Sequence, residues 1–586
     1  VSDIWFFRDL QRFLKERDAI NELENSVQWL KGSHWKFVDK DKLAVEAIIH
    51  VHSFDYAVKM VYPVLFPAVP PEIYPQNSQE RWSDHQYLSG ALCLEWRPDT
   101  WHFNLTGAQV LESAHTLLST ENPHGIGEQH IVPVQHELST GQILRASYLR
   151  AYFAEEGKAY LAELPPLTMG LSNCCIQWQS QSLIIFIQGF KPGGGYPDWY
   201  DASIPSKMNS TIKNGFFYKT NYHTEQLKQI KSLYNLKTLL EQENSSSNSL
   251  IGVDGIWSEY ARQGLFCILL TDATDQIHCF LKISADEDAL SNVTLVCSSH
   301  TIANPRVSAE LQSLPDKSVG IVGLGSIGSK VALSLARTGI GKFYLVDEDI
   351  FLPDNICRHS LDWRNVGEYK VHAVAHLISC ISENAQVDVA TIKVGGQETS
   401  SALDHVLCQL NKCDLIIDAT ANPRVFNLLA FVAKNFFKPL LWGEVFAGGI
   451  GGIVARSRPR QDPDPQGMRA AFYEFLSVQD VPLPTISSEP YRLENQEGLI
   501  LEASDAEVSI IASHITHLAL DTVLSKEISL FPYSMYVIGL QKGWIFHAPF
   551  HTIPIDTSNF AQVKNNDISS DFVKKQALDF LKGLLE

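Results

Sequence analysis

The run "VGIVGLGSIGSK" at residues 319–330 constrains this chain more than any other stretch. A short apolar strand pattern feeds directly into Gly323, Gly325 and Gly328, and these lead into the helical pattern "SKVALSLARTG". Glycines let a backbone turn tightly and approach a phosphate, and the N-terminus of the helix that follows offers unpaired N–H groups to an anion. Asp347 lies 19 residues past Gly328 at the end of the next strand pattern, "KFYLVDED", where a carboxylate can accept ribose hydroxyls. Further strand and helix patterns follow in alternation: "YKVHAVAHLISCI", "VDVATIKV" and "CDLIIDAT". From about residue 316 the pattern predicts a doubly wound parallel sheet with a Rossmann-type nucleotide site, open at this point to NAD or ATP.

The rest of the chain needs other domains, because 586 residues exceed one hydrophobic core. We expect a multidomain α+β and α/β protein: an α+β domain over 1–155, a β-rich connecting domain over 156–310 and the α/β domain over 311–586. The first opens with a helix over 3–20 whose apolar face is Ile4, Phe7, Leu10, Leu14 and Ile20. Strand patterns "SVQWLKG", "LAVEAIIHVHSF" and "YAVKMVYPVL" follow, then prolines, then a helix "NLTGAQVLESAHTLLST" capped by Asn104 or Thr106. In the connecting domain "SLIIFIQGF", "FCILLTD" and "HCFLKIS" read as strands, and the polar tract at 241–248 as a mobile loop.

Composition excludes some functions. The net charge of −19, from 47 basic and 66 acidic residues, repels nucleic acid. No apolar run of 18 residues offers a membrane span, and the start of the chain lacks the order of a secretory signal, so a soluble cytoplasmic protein is expected. The 10 cysteines show neither disulfide-framework spacing nor a CxxC zinc pair, so most are read as reduced, buried thiols, Cys357 among them.

Residues just past Asp347 narrow the nucleotide. Asn355, Arg358 and Lys370 put two cations just past the ribose aspartate, where nucleotidyl transfer needs positive charge as pyrophosphate leaves and hydride transfer has no general need of it. The glycine run, the D-x-D of Asp347 and Asp349, the N-x-x-R of Asn355 and Arg358, and V-G-x-x-K ending at Lys370 together resemble the ThiF/ubiquitin-activating superfamily. That resemblance implies ATP- and magnesium-dependent adenylation of a protein C-terminus. It places Asp347 on the ribose, Arg358 and Lys370 on the phosphates, Asn355 in support and Asp349 in the nucleotide set. Two positions depart from the family. Ala421 stands where an aspartate usually holds magnesium, so either Asp418 takes the metal or the metal site is weakened. No cysteine follows Cys413, so the segment around Ala503 and Ala506 lacks the expected thioester thiol: either the adenylate passes directly to another thiol, or a cysteine there has been substituted.

A second thiol answers that gap. "YPVLFPAVPPEIYP", then "SGALCLEW" with Cys93, then a helix ending in Asn122-Pro123 resemble a ubiquitin-conjugating domain, and the resemblance makes Cys93 the thioester acceptor. A thiolate is a good nucleophile toward an acyl adenylate and a good leaving group afterwards. The usual His-Pro-Asn is replaced by "WSDHQYLSGALC", in which His85 or Tyr87 could supply the missing donor. Trp82, Trp96 and Trp101 read as packing residues, and "RSRPRQDPDP" at 456–465 as a mobile substrate-crossing loop.

The whole chain resembles the conjugating–activating fusions of CBASS anti-phage operons. In these the activated protein is a cyclic-oligonucleotide synthase (CD-NTase) and the activating domain is a homodimer. The expected partners are therefore a protein with a free C-terminus, a target protein or small nucleophile, and a second copy, with no nucleic acid and no membrane. The alternatives are a sulfur-carrier adenylyltransferase of the ThiF/MoeB kind and a nucleotide-binding scaffold with a degenerate conjugating domain.

Overall fold

A computed structural model describes residues 4–39, 41–77, 80–83, 85–87, 89–124, 147–179, 181–205, 211–244, 266–283, 288–298, 309–479, 492–494, 500–525, 528–560 and 575. The chain forms two compact units, Val1–Ile143 and Leu144–Glu586.

The first unit is α+β. Helix α1, Leu10–Ser26, is followed by a four-stranded antiparallel meander of β1 (Leu30–Asp39), β2 (Lys42–Val51), β3 (Phe54–Val61) and β4 (Glu72–Pro75), then by helix α2, Gly107–Glu121. Thr106 caps α2, and its backbone N–H donates to the Gln109 side chain at 2.8 Å. The opening helix differs from the sequence expectation. Asp9 caps α1 by accepting the Arg12 N–H at 2.9 Å, which separates a helical turn, Trp5–Arg8, from α1. The break changes the register, so Trp5, Phe6, Ile20 and Leu23 are buried while Phe7, Leu10 and Leu14 are exposed. The helix also runs on to Ser26, which moves the start of β1 to Leu30. Between α1 and α2 lies a buried polar knot: Glu16 accepts from Tyr62 Oη at 2.8 Å and from the Gly107 N–H at 2.7 Å, and pairs with Arg12 at 2.8 Å. Trp82 is buried in this core, and Trp96 and Trp101 pack against it.

The second unit opens with an eight-stranded mixed sheet of β5 (Leu149–Ala154), β6 (Met169–Gln179), β7 (Ser182–Pro192), β8 (Trp199–Tyr200), β9 (Thr211–Lys219), β10 (Phe266–Thr271), β11 (Ile277–Lys282) and β12 (Ser291–Ser298). The expectation of 1–155 for the first domain placed β5 there, but β5 pairs in parallel with both β12 and β7. Of the polar tract, 241–244 complete the helix Leu233–Asn244 and 245–248 lie outside the described residues.

The doubly wound half then follows. Strands β13 (Ser318–Val322), β14 (Lys342–Val346), β15 (Gln386–Ala390), β16 (Leu415–Asp418) and β17 (Leu440–Val445) are parallel in the order β15-β14-β13-β16-β17. The sheet continues antiparallel through β18 (Gly451–Ser457), β21 (Met535–Gly539) and β22 (Thr552–Pro554); β19 (Arg492–Glu494) and β20 (Ile500–Glu502) form a separate ribbon. One face packs on α3 (Ser326–Thr338), α4 (Lys370–Ile381) and α8 (Asp505–Leu524), through residues such as Val331, Val371 and Ile511. The other packs on α5 (Ser400–Lys412), α6 (Pro423–Asn435) and α7 (Pro465–Val478), through Val406, Leu429 and Phe472. Strand β13 sits between β14 and β16, so the chain reverses its winding direction there, and a crevice opens beyond the carboxyl ends of these strands.

The run 456–465 is no mobile loop. Arg456 is fully buried and paired with Asp521 at 2.5 Å, and the Arg458 guanidinium binds Asp462 at 2.8 and 3.1 Å. A buried pair of this kind is held in place by the cost of stranding either charge.

Candidate functional site

The glycine loop occupies the crevice, and each glycine has a distinct reason to be there. Gly323 takes φ +87°, and a Cβ at Gly328 would lie 1.9 Å from the Gly323 carbonyl oxygen, so α3 can approach the strand end only without a side chain. Gly325 caps α3, and a Cβ there would meet nothing within 4 Å. Its open side is where a phosphate can approach the helix N-terminus, so the loop fits a nucleotide.

Leu324, between two of these glycines, is gripped on both sides. Its N–H donates to Asp347 Oδ2 at 2.5 Å, and its carbonyl lies 2.7 Å from His359 Nε2. Because the Leu361 N–H donates to His359 Nδ1 at 3.1 Å, the ring is in the Nε2–H form, and burial pushes its pKa down to about 4. Asp347 also accepts the Asp349 N–H at 2.8 Å, and burial raises its pKa. Two backbone donors leave an ionised carboxylate with acceptor capacity for ribose hydroxyls.

The two expected phosphate-binding cations are already occupied by carboxylates. Lys370, first residue of α4 and buried, pairs with Asp349 at 2.8 Å. Arg358 pairs with Glu502 at 2.8 Å and donates to the Ala503 carbonyl at 3.3 Å. Asn355 accepts the Leu352 N–H at 3.0 Å and so closes the turn ahead of Arg358. Ala503 is buried against the site, and Ala506 is exposed in the first turn of α8. Cys357, expected in the core, is exposed and donates to the Asp354 carbonyl at 3.2 Å, because the short turn at Pro353–Asn355 faces it outward.

Across the loop, Asp418 ends β16 opposite Val322 and is almost fully buried. Its Oδ1 accepts the Thr420 N–H at 3.0 Å and hydroxyl at 2.6 Å, yet burial pushes its pKa up to about 6. Glu444, near the end of the neighbouring β17, is also raised by burial, and the Asp418 charge adds to that, while Arg469 acts in the opposite direction on both. Two desolvated carboxylates beside a phosphate crevice form a donor set that fits a hard divalent cation. Carboxylate oxygens of Asp347, Glu348 and Asp349 also lie within 4.8 Å of one another. Ala421, at φ +52°, contributes no ligand.

In the first unit, Cys93 is half-buried, and its Sγ donates to the Tyr87 hydroxyl at 3.5 Å. Burial and that hydrogen bond push the Tyr87 pKa up to about 12, so the phenol keeps its proton. His85 is tied to Glu121 at 2.7 Å.

His359, Glu444, Arg469, Glu502 and Glu121 carry no motif. Only the tertiary contacts bring them to these places.

A switch-point crevice with a glycine loop at a helix N-terminus and an acidic strand end defines a nucleotide-binding doubly wound domain. Residues 299–472 match the ThiF family, and residues 170–295 match the domain observed between E2 and E1 domains; the chain carries both. It is 35% identical over 130 residues to the ATP-dependent ubiquitin transferase-like protein Cap2 of Vibrio cholerae serotype O1 (strain ATCC 39315 / El Tor Inaba N16961), covering 22% of this chain and 21% of that one. It is 29% identical over 183 residues to the adenylyltransferase and sulfurtransferase MOCS3 of Arabidopsis thaliana, covering 31% and 38%. These matches thus span well under half the length of either relative. Among solved structures, Escherichia coli MccB with ATP aligns over 42% of this chain and 66% of that one, at 13% identity and a TM-score of 0.32. Among the described residues no helix is long and apolar enough to cross a membrane.

Proposed function

We propose that this chain uses ATP to adenylate the C-terminal carboxylate of a protein, takes the acyl group onto Cys93 as a thioester and passes it to an amine or other nucleophile. The activated protein in this reading is a CD-NTase of a CBASS operon, and the working form is a homodimer. The observation that carries the reading is the presence in one chain of a ThiF-matched glycine loop with an open phosphate side and of Cys93, hydrogen-bonded to a phenol.

In the first step a carboxylate oxygen attacks the α-phosphorus of ATP and pyrophosphate leaves. The Gly323–Gly328 loop holds the phosphates, and the Asp347–Leu324–His359 clamp keeps that loop rigid. Lys370 and Arg358 exchange Asp349 and Glu502 for phosphate oxygens and balance the charge that develops there. Asp418, with Glu444 beside it, would hold magnesium, which supplies Lewis-acid neutralisation of the phosphates. The Cys93 thiolate then attacks the mixed anhydride, AMP leaves, and the thioester keeps the activation for the final acceptor.

A second reading is supported by the likeness to MOCS3: a sulfur-carrier adenylyltransferase whose first unit serves only for docking. It predicts adenylate without a Cys93 adduct.

Full-length protein with ATP, magnesium and candidate proteins ending in a free carboxylate, run on non-reducing gels with and without thiol, separates these readings. A thiol-sensitive adduct lost in Cys93→Ala supports the conjugating reading. Pyrophosphate exchange without adduct favours the adenylyltransferase. ATP binding without exchange, across partners, leaves the scaffold.

A further inference from the structure

The chain around Cys93 folds back as a short antiparallel ribbon. Gln86 and Leu92 form a bridge, the Cys93 N–H donates to the His85 carbonyl at 2.7 Å, and the Tyr87 N–H donates to the Ala91 carbonyl at 2.8 Å. Residues directly opposite each other in such a pair present their side chains on one face. His85, Tyr87 and Cys93 therefore share a face, while Leu92 points into the core. The 3.5 Å contact from Cys93 Sγ to the Tyr87 hydroxyl lies on that face.

His85 is held from behind. Its Nδ1 lies 2.7 Å from Oε1 of Glu121, the last residue of α2, and the Glu121 side chain is 6% exposed. A carboxylate only accepts, so Nδ1 carries the proton and Nε2 of the neutral ring carries a lone pair. That Nε2 is buried and has no hydrogen-bond partner among the described residues. An unsatisfied buried acceptor is costly, and native proteins rarely keep one without a use. Thiol, imidazole and orienting carboxylate are the parts of a base-assisted acyl-transfer site.

We propose that His85, oriented by Glu121, is the general base of the Cys93 site and takes the proton from the amine that discharges the thioester. This rests on Cys93 carrying an acyl group, as above. The amine nitrogen bonds to the acyl carbon, the carbon–sulfur bond breaks to leave the Cys93 thiolate, and the amine proton passes to His85 Nε2, a transfer that requires the buried ring edge to open toward the acceptor. The imidazolium, stabilised by Glu121, returns that proton to the thiolate, and no electrons are gained or lost. The Tyr87 hydroxyl can donate to the departing sulfur. Among the described residues, Cys93, Tyr87 and Glu121 are the titratable groups at this face; Arg97 and Asp99 act on Tyr87 by their charges, and the Arg81 guanidinium binds the Tyr87 carbonyl. The acceptor class that needs such a base is a neutral primary amine, not a nucleophile already ionised in water.

The test bypasses adenylation. Full-length protein is acylated at Cys93 with N-acetylglycine thiophenyl ester, the adduct is located by peptide mass spectrometry, and discharge is followed with glycinamide and with hydroxylamine across pH. His85→Gln and Glu121→Gln, loaded to the same measured adduct level as wild type, should lose about 100-fold in the rate of glycinamide discharge together with its pH inflection, and change far less with hydroxylamine. Imidazole should restore part of the rate to His85→Ala. If His85→Gln does not fold, Glu121→Gln, which keeps the shape of the side chain, carries the test. Unchanged glycinamide rates and pH profiles in the variants overturn the base role and leave the thioester carrier standing. A wild-type Cys93 that refuses the acyl group overturns both.

Discussion

At the nucleotide site the scaffold is the main chain itself, whereas around Cys93 it is side chains drawn from distant elements. Leu324 is clamped through its own N–H and carbonyl, and the three glycines set how closely α3 meets β13. Cys93 sits instead on a short ribbon whose chemistry comes from Tyr87 and from His85, the latter braced by Glu121 of α2. The difference teaches where each site is brittle. A backbone-built site fails when a methyl is added, and a side-chain-built site fails when a donor is removed.

The largest expected effect tests the first half of that contrast. Gly328→Val forces α3 off the Gly323 carbonyl and should cost about 3 kcal/mol of stability, with loss of the rise in melting temperature caused by ATP. Gly325→Ala, where the added carbon meets nothing, should melt like wild type yet bind ATP weakly by calorimetry. Equal melting of the two variants would break the comparison.

Next in size is Asp418. Burial raises its folded-state pKa to about 6, above the usual carboxylate value of 3.8, so the folded chain holds the proton more tightly than the unfolded one. Stability from this group is full below about pH 4 and is lost as pH rises through about 6. Asp418→Asn should therefore stabilise the metal-free protein by roughly 2–3 kcal/mol at pH 7–8 and flatten the fall in melting temperature between pH 4 and 7. His359, depressed to about 4, has the opposite sign: its contribution is complete above about pH 6.5 and lost as pH falls through about 4.

Smaller still, Tyr87→Phe removes one hydrogen bond at the sulfur. Alkylation of Cys93 by iodoacetamide at neutral pH should slow about fivefold, the equivalent of about 1 kcal/mol, with melting little changed. The smallest effect belongs to Glu502→Gln. Its ion pair with Arg358 is half-exposed on the carboxylate side, so melting should move by under about 1 °C. ATP affinity should rise two- to fivefold, as Arg358 no longer has to leave a carboxylate.

The nucleotide half was the more legible in sequence. The spacing from Gly323 to Asp347, and the strand and helix patterns from residue 316, foretold the parallel sheet, because each strand is a continuous apolar run bounded by its own turn residues. The opening helix was legible as a helix but not in its buried face, since one cap at Asp9 resets the register. Periodicity could not foresee that 456–465 would be pinned, because the partner of Arg456 is Asp521, far along the chain. Cys357 was expected inside on composition alone, and a single tight turn turned it out.

By itself the sequence determined the local decisions: which runs become strands, where the glycines must stand, which thiol follows the proline-rich crossing, and that the chain carries a charge of −19. These depend on residues within about a dozen positions of one another, where sterics and periodicity act directly. Only the tertiary structure decided which carboxylates occupy Lys370 and Arg358, that His359 grips the glycine loop, that Glu444 joins Asp418, and that Glu121 braces the histidine opposite Cys93. Burial and hydrogen-bond partners are properties of elements packed together, and a charge or an imidazole acquires its chemistry from neighbours that the linear chain keeps apart.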